Sequence, residues 1–141
     1  MTNSLLYDLV NQMYTYHADA ESPKDKIFRT ESEAIQTLAA KENCVIVGRA
    51  ADYVLREDPN CLKIFLHADA NAKIQRIKER EQLSEKEAEK KIAHEEKLRA
   101  ANYHYYTHRM WGHAGNYDLT LDTAIGIDHI EQIVRIMLSN E

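Results

Sequence analysis

The stretch NCVIVGRAAD, residues 43–52, decides how the rest of the chain is interpreted. A short apolar run rich in β-branched residues ends at Gly48, and Arg49 follows at once. This pattern predicts a buried strand over residues 44–47, then a turn into a helix that begins near Ala50. In open α/β sheets, ligands bind just beyond the carboxyl ends of the parallel strands. Arg49 is therefore predicted to lie where an anion binds.

Composition limits the classes of protein that the chain can belong to. Its 141 residues suffice for one domain with one core. The net charge of −5 argues against broad nucleic-acid binding, which needs a basic face. Cys44 and Cys61 start apolar runs, as small core residues of a reduced protein do. Because no apolar run is long enough for a membrane span and no signal peptide is visible, we expect a cytoplasmic protein with neither nucleic-acid nor membrane partners.

Apolar residues at helical spacing, capping residues and short alternating runs predict the other elements. In chain order these are a helix over residues 4–17, a helix from Ser22-Pro23 to about Lys41, a second strand over 61–66, a basic helix over 70–81, a long charged helix from Ser84 to about Tyr106, a third strand over 117–123 and a final helix from Asp128. Strands that alternate with helices indicate an α/β fold, here a parallel sheet of about three strands flanked by helices.

Polar or charged residues follow all three predicted strands, namely Gly48-Arg49, His67-Ala68-Asp69 and Asp122-Thr123. The carboxyl ends of parallel strands meet at one edge of a sheet, so these residues are candidates for a ligand site. Strand ends are also exposed and need polar residues for that reason alone. The simpler interpretation is favoured for Asp122-Thr123, and the functional one for Arg49.

A second group of cations lies on the basic helix and beyond it: Arg76, Arg80, Lys97, Arg99 and Arg109. Clustered cations stabilise the charge that phosphoryl transfer spreads over oxygen atoms. A solvated helix face is the alternative, and on charge pattern alone it is preferred.

Neither the histidines nor the aromatic residues add a site of their own. His104 and His108 are four residues apart, but no carboxylate pair completes a metal site, so none is predicted. The aromatic group could stack on a base, but its spacing is more typical of packing: Tyr103, Tyr105, Tyr106 and Trp111.

Taken in order, several of these segments resemble the cytidylate kinase-like family, a branch of the P-loop nucleoside monophosphate kinases. The matching pieces are CVIVGRAAD at 44–52, CLKIFLHA at 61–68, Arg76, Glu96 with Arg99, and YDLTLD at 117–122. The resemblance implies a parallel sheet flanked by helices and a LID, here segment 82–109. It also implies a phosphotransferase that moves the γ-phosphoryl group of ATP to a nucleoside monophosphate with Mg²⁺.

The resemblance also implies roles for individual residues. Arg49, Asp52 and Arg76 match positions that bind the nucleoside monophosphate substrate. Arg99 and Lys97 match LID cations that close over the phosphates during catalysis. Asp122 and Thr123 match the strand end on the donor-nucleotide side.

The chain departs from the family at the phosphate-binding loop. Its four glycines are Gly48, Gly112, Gly115 and Gly126, and none is followed by Lys-Ser or Lys-Thr. That loop needs successive backbone N–H groups, a lysine and a hydroxyl group that binds magnesium. We therefore expect residues 1–141 to form a single kinase-like domain without the P-loop strand, derived from a longer protein and with negligible kinase activity by itself.

Two alternatives stay open. One is a non-catalytic remnant that keeps a nucleotide or anion site. The other is a protein that forms homo-oligomers through unpaired strand edges.

Overall fold

The computed structural model describes residues 21–139 of the protein. The chain divides into two units, Met1–Arg49 and Ala50–Glu141. The helix predicted over residues 4–17 lies outside the described residues. Within them, no helix is both long and apolar enough to cross a membrane.

The first unit contains helix α1, Pro23–Lys41, which confirms the predicted helix at both ends. Ser22 is its N-cap: the side-chain oxygen accepts a hydrogen bond from the backbone N–H of Asp25 at 3.1 Å. Pro23 occupies the first turn, where its missing N–H has no intrahelical partner to lose. Ser22, Pro23 and Asp25 therefore determine where this helix starts.

The strand predicted over residues 44–47 is wrong. Residues 43–47 pair with no other strand in the described part of the chain, and the side chains of Val45 and Val47 are 93% and 87% exposed. A β-branched run favours an extended backbone, but a strand exists only where a neighbour satisfies its N–H and C=O groups. Composition indicates only a preference for extended backbone and cannot supply that neighbour.

The second unit, over residues 50–139, carries the sheet and the remaining helices. Its elements are α2 (Ala51–Val54), β1 (Ile64–His67), α3 (Ala70–Glu81), α4 (Glu85–Thr107), β2 (Leu119–Asp122) and α5 (Ile127–Ser139), with a turn of 3₁₀ helix on each side of β2. These bounds confirm the four predicted helices and the second and third strands. The second strand begins and ends later than predicted.

β1 and β2 form a parallel pair, in which Ile64 lies opposite Leu119 and His67 opposite Asp122. The mixed α/β class is confirmed. The prediction of about three strands is wrong for the described residues, where the sheet has two, because residues 44–47 join no ladder.

Helices α3 and α4 form an antiparallel hairpin held largely by charge. Asp69 caps α3, and Ser84 with Glu87 forms the predicted capping box at the start of α4. No residue of α3 is buried, and the first half of α4 buries only Ala88. Three ion pairs connect the two helices: Lys73–Glu96, Lys78–Glu85 and Lys91–Glu81.

The backbone between residues 47 and 51 takes an uncommon conformation. Gly48, Arg49 and Ala50 have φ angles of 75°, 57° and 52°, all in the left-handed region. An L-residue there costs about 1–2 kcal/mol, whereas glycine adopts it freely.

Replacing Ala50 by glycine is therefore expected to raise the free energy of unfolding by about 0.5–1 kcal/mol, after allowing for the greater entropy of glycine in the unfolded chain. The matched control is Ala101→Gly, in the right-handed interior of α4, which should cost about 1 kcal/mol. Urea unfolding of both variants tests the sign. A loss of stability in both would contradict this account of Ala50.

Candidate functional site

The carboxyl ends of β1 and β2 meet at one edge of the sheet. The parallel register places His67 opposite Asp122 at that edge. Asp69 lies two residues after His67, and Thr123 follows Asp122 directly. Two of the three predicted strand ends are therefore brought together, as expected for neighbouring parallel strands.

Arg76 connects α3 to this edge. Its Nη2 atom lies 3.5 Å from the Thr123 hydroxyl oxygen, a long contact between residues 47 positions apart. Arg76 is exposed and forms no salt bridge within residues 21–139. The remaining N–H groups of its guanidinium are therefore free to bind an anion beside Thr123. We call Arg76 and Thr123 the strand-end site.

The carboxylates near the strand-end site are already engaged in local hydrogen bonds. Asp122 accepts one from the backbone N–H of Ala124 at 2.9 Å, and Asp69 accepts one from Ala72 at 3.0 Å. Both therefore stabilise the turns that leave the sheet. The assignment of Asp122 and Thr123 to the donor-nucleotide side stays a prediction.

Asp52 has a definite partner that the sequence did not indicate. The Tyr103 hydroxyl donates to Asp52 Oδ2 at 2.7 Å, and Tyr103 is buried, with 6% of its surface exposed. This hydrogen bond joins α2 to α4 across 51 residues. A role for Asp52 in substrate binding stays a prediction, whereas its contact with Tyr103 is structural.

The same environment holds two phenols neutral. Burial raises the pKa of Tyr103, and the hydrogen bond to Asp52 and the charge of Asp52 raise it further. Burial also raises the pKa of Tyr117, with a second contribution from the charge of Asp52. Both tyrosines are therefore more resistant to ionisation than free phenols.

These shifts predict a loss of stability in alkali. A raised folded-state pKa contributes stability that is fully present below the unfolded value of ~10 and is lost as the pH rises beyond it. We compare the free energy of unfolding, measured with urea, at neutral pH and above pH ~10. The loss between these two pH values should be larger for the wild-type protein than for Tyr103→Phe, which has no phenol to ionise at this position. Equal losses of stability in the two proteins would contradict the raised pKa of Tyr103, which burial causes first and the hydrogen bond to Asp52 second.

Arg49 belongs to the first unit, where its Nη1 atom lies 3.2 Å from Glu31 Oε1. The Arg49 side chain is 69% exposed. Exposed ion pairs of this kind contribute little to stability. The Arg49 guanidinium also keeps N–H donors that face solvent. Anion binding by Arg49 stays a prediction.

The two predicted LID cations lie on α4. Arg99 contacts Glu95 at 3.2 Å and is 60% exposed. Lys97 is exposed and forms no salt bridge in the described part of the chain. Glu96, between them, binds Lys73 of α3, so it contributes to the hairpin.

Of the aromatic residues predicted to pack, Tyr103 is buried and Trp111 packs against a strand, whereas Tyr105 is 48% exposed. Trp111 meets the ring of Phe65 edge-on, with centroids 5.5 Å apart, and Tyr117 lies against the same ring at 5.0 Å. Sequence reasoning did not identify Phe65 as the centre of this group. The only indication in the sequence was that Phe65 lies in a predicted strand, where a large apolar side chain is expected to pack.

The described residues do not provide the binding groups for the ATP triphosphate and the Mg²⁺ ion that the family resemblance implies. No group of three or more His, Cys, Asp or Glu side chains that could hold a metal ion occurs among residues 21–139. None of the four glycines begins a loop that ends in Lys-Ser or Lys-Thr. Beyond the predicted donor-nucleotide side at Asp122 and Thr123, we therefore assign no residue between 21 and 139 to ATP or Mg²⁺.

Comparison with known proteins adds three findings. A family model described as the cytidylate kinase-like family matches residues 1–125. The crystal structure of an uncharacterized protein from Eubacterium ventriosum is similar, with 27% sequence identity and a TM-score of 0.78; the match covers 85% of this chain and 69% of that one. No curated protein matched the sequence.

Proposed function

The chain belongs to the cytidylate kinase-like family, and we propose that it is a nucleotide kinase-like domain whose strand-end site binds the phosphate of a nucleoside monophosphate. The observation that carries this proposal is the 3.5 Å approach of Arg76 Nη2 to the Thr123 hydroxyl at the carboxyl ends of β1 and β2.

The chemistry of the two side chains suits a phosphomonoester. A guanidinium presents a planar fork of N–H donors that matches two phosphate oxygens. The threonine hydroxyl adds a further donor beside it. Because Arg76 has no carboxylate partner among residues 21–139, binding a phosphate breaks no existing ion pair.

The proposal covers the acceptor nucleotide, and it places Thr123 on the acceptor side, whereas the family resemblance implies the donor side for Asp122 and Thr123. In the family resemblance, this acceptor would receive the γ-phosphoryl group of ATP, with Mg²⁺ supplying charge stabilisation. Since the chain has no glycine-rich loop for a triphosphate, we assign it acceptor binding and no transfer step.

A non-catalytic nucleotide-binding protein is the second candidate. Two ion pairs favour it, Arg99 with Glu95 and Glu96 with Lys73. These pairs already use side chains of the LID-like segment. A coupled kinase assay with ATP and Mg²⁺ tests the second candidate: binding of a monophosphate without turnover supports it, and turnover would contradict it and add a transfer step to the first candidate.

Homo-oligomer formation stays a proposal as well. Each strand of the two-stranded sheet has one edge unpaired among the described residues, and unpaired edges can recruit another chain. Sedimentation velocity tests this directly: a monomer at all concentrations would remove the proposal.

Calorimetric titrations with CMP, UMP, AMP and cytidine test the binding function. We expect at least one monophosphate to bind, and cytidine to bind roughly 10-fold or more weakly than CMP, because it lacks the charge-assisted contact to Arg76. Equal affinity for CMP and cytidine, or no binding of any monophosphate, would remove the proposal.

A further inference from the structure

Helix α5 carries large apolar side chains that stay exposed. Ile127 is 73% exposed and Leu138 is 57% exposed, whereas Ile130 is buried. With about 3.6 residues per turn, positions 127 and 138 lie roughly 20° apart around the helix axis, so both side chains leave the same side of α5. Ile127, Glu131, Val134 and Leu138 all lie within about 60° of one another on that side, and we call them the α5 strip.

The spacing of the α5 strip is that of a contact between two helices. Its positions, 127, 131, 134 and 138, are separated by four, three and four residues. Coiled-coil helices present one face to a partner by the same alternation. Exposed apolar side chains in this arrangement mark a surface that another helix can cover.

The α5 strip is complementary to an antiparallel copy of itself. A two-fold axis midway between residues 132 and 133 places Ile127 opposite the partner's Leu138, at both ends of the contact. The same axis brings Glu131 close to the partner's Arg135, because both lie on one flank of the strip. Within one helix, Arg135 binds Glu131 at 2.7 Å, and their side chains are 74% and 58% exposed. Both charges can therefore form a second contact across the interface.

These charges also select the orientation and the kind of partner. In a parallel dimer, each Glu131 would face the partner's Glu131, and like charges across a helix contact repel. The antiparallel dimer replaces this repulsion by two attractive pairs of Glu131 with the partner's Arg135. A partner surface of a single charge would leave either Glu131 or Arg135 beside a like charge. A second copy of the chain matches both.

We propose that the α5 strip is a dimer interface, at which two copies of the chain pack α5 against α5 in antiparallel orientation. The contact is small, since a helix of 13 residues is about 20 Å long and one such helix pair buries less than the ~1,600 Å² of a standard interface. The dimer is therefore weak, with a dissociation constant on the order of 0.1 mM. The proposal rests neither on nucleotide binding at Arg76 nor on the unpaired strand edges.

Sedimentation velocity of the intact chain from ~10 µM to ~0.5 mM tests the association. For the wild type, we expect the sedimentation coefficient to rise with concentration toward that of a dimer. Leu138→Lys places a charge in the α5 strip and should weaken the association by roughly 10-fold or more. Ile136→Lys is the matched control, because Ile136 is 61% exposed but lies about 160° from Leu138 around the helix. It should associate as the wild type does.

Charge reversal tests the antiparallel pairing. Glu131→Arg leaves two arginines on each α5, and Arg135→Glu leaves two glutamates, so neither variant should associate with itself. An equimolar mixture of the two should form dimers, because every charge pair across the interface is then attractive. A contact within one helix cannot give this result, since neither chain in the mixture regains its own Glu131–Arg135 pair.

Three results would overturn the proposal: a wild type that is monomeric at all concentrations, a Leu138→Lys variant that associates as the wild type does, and a mixture of the two charge variants that stays monomeric. The second result would point to the strand edges as the contact. Calorimetric titration with CMP should give the same affinity for the wild type and Leu138→Lys, so the dimer and the nucleotide site are tested separately.

Discussion

Replacing Gly112 by alanine is expected to lower the free energy of unfolding by about 2–4 kcal/mol. Gly112 has a φ of +74°, which an L-residue adopts only at a cost. An added Cβ would also lie 3.1 Å from Cζ and 3.3 Å from Cε1 of Phe65. That ring is held by Trp111 and Tyr117, so it cannot withdraw without disturbing both. Conformational strain and overpacking therefore add at this position.

Gly48→Ala is the control that separates the two contributions. Gly48 has nearly the same φ, +75°, but no atom lies within 4 Å of the position of an added Cβ. Its replacement should therefore cost only the conformational part, about 1 kcal/mol. Urea unfolding of both variants gives the comparison. Equal losses would show that the Phe65 contact contributes nothing.

Replacing Asp52 by alanine is expected to cost about 1.5–3 kcal/mol of stability, the range for a hydrogen bond to a charged group. The change removes the charged acceptor of the Tyr103 hydroxyl, on a residue that is only 6% exposed. Thermal unfolding followed by circular dichroism measures the loss.

A double-mutant cycle with Tyr103→Phe isolates the hydrogen bond itself. The two single changes remove the same interaction, so the double variant should be more stable than the sum of the separate losses implies. Additivity within about 0.5 kcal/mol would mean that the Asp52–Tyr103 contact does not stabilise the protein.

Features that depend on neighbouring residues could be predicted from the sequence. Ser22 with Pro23, and Ser84 with Glu87, place the starts of α1 and α4 because a cap and its partner are three residues apart or fewer. The edge shared by His67 and Asp122 was also predictable, since strands separated by helices pair in parallel and end on the same side.

Features that depend on distant residues could not be predicted in this way. Residues 44–47 have the composition of a strand, but the described chain offers them no neighbour. Asp52 and Tyr103 are 51 positions apart, and no periodicity connects them. The centroid of the Tyr53 ring in α2 lies 5.1 Å from the Arg109 guanidinium carbon, a contact that charge pattern alone did not indicate.

The most direct test of nucleotide binding at the strand-end site is a calorimetric titration of CMP into the wild-type protein, Arg76→Gln and Arg135→Gln. Arg76→Gln should weaken CMP binding by roughly 10–100-fold, because it removes the charge-assisted contact to the phosphate. Arg135→Gln, which removes an exposed arginine of α5, should bind CMP as the wild type does. The same CMP affinity in wild type and Arg76→Gln would contradict the account.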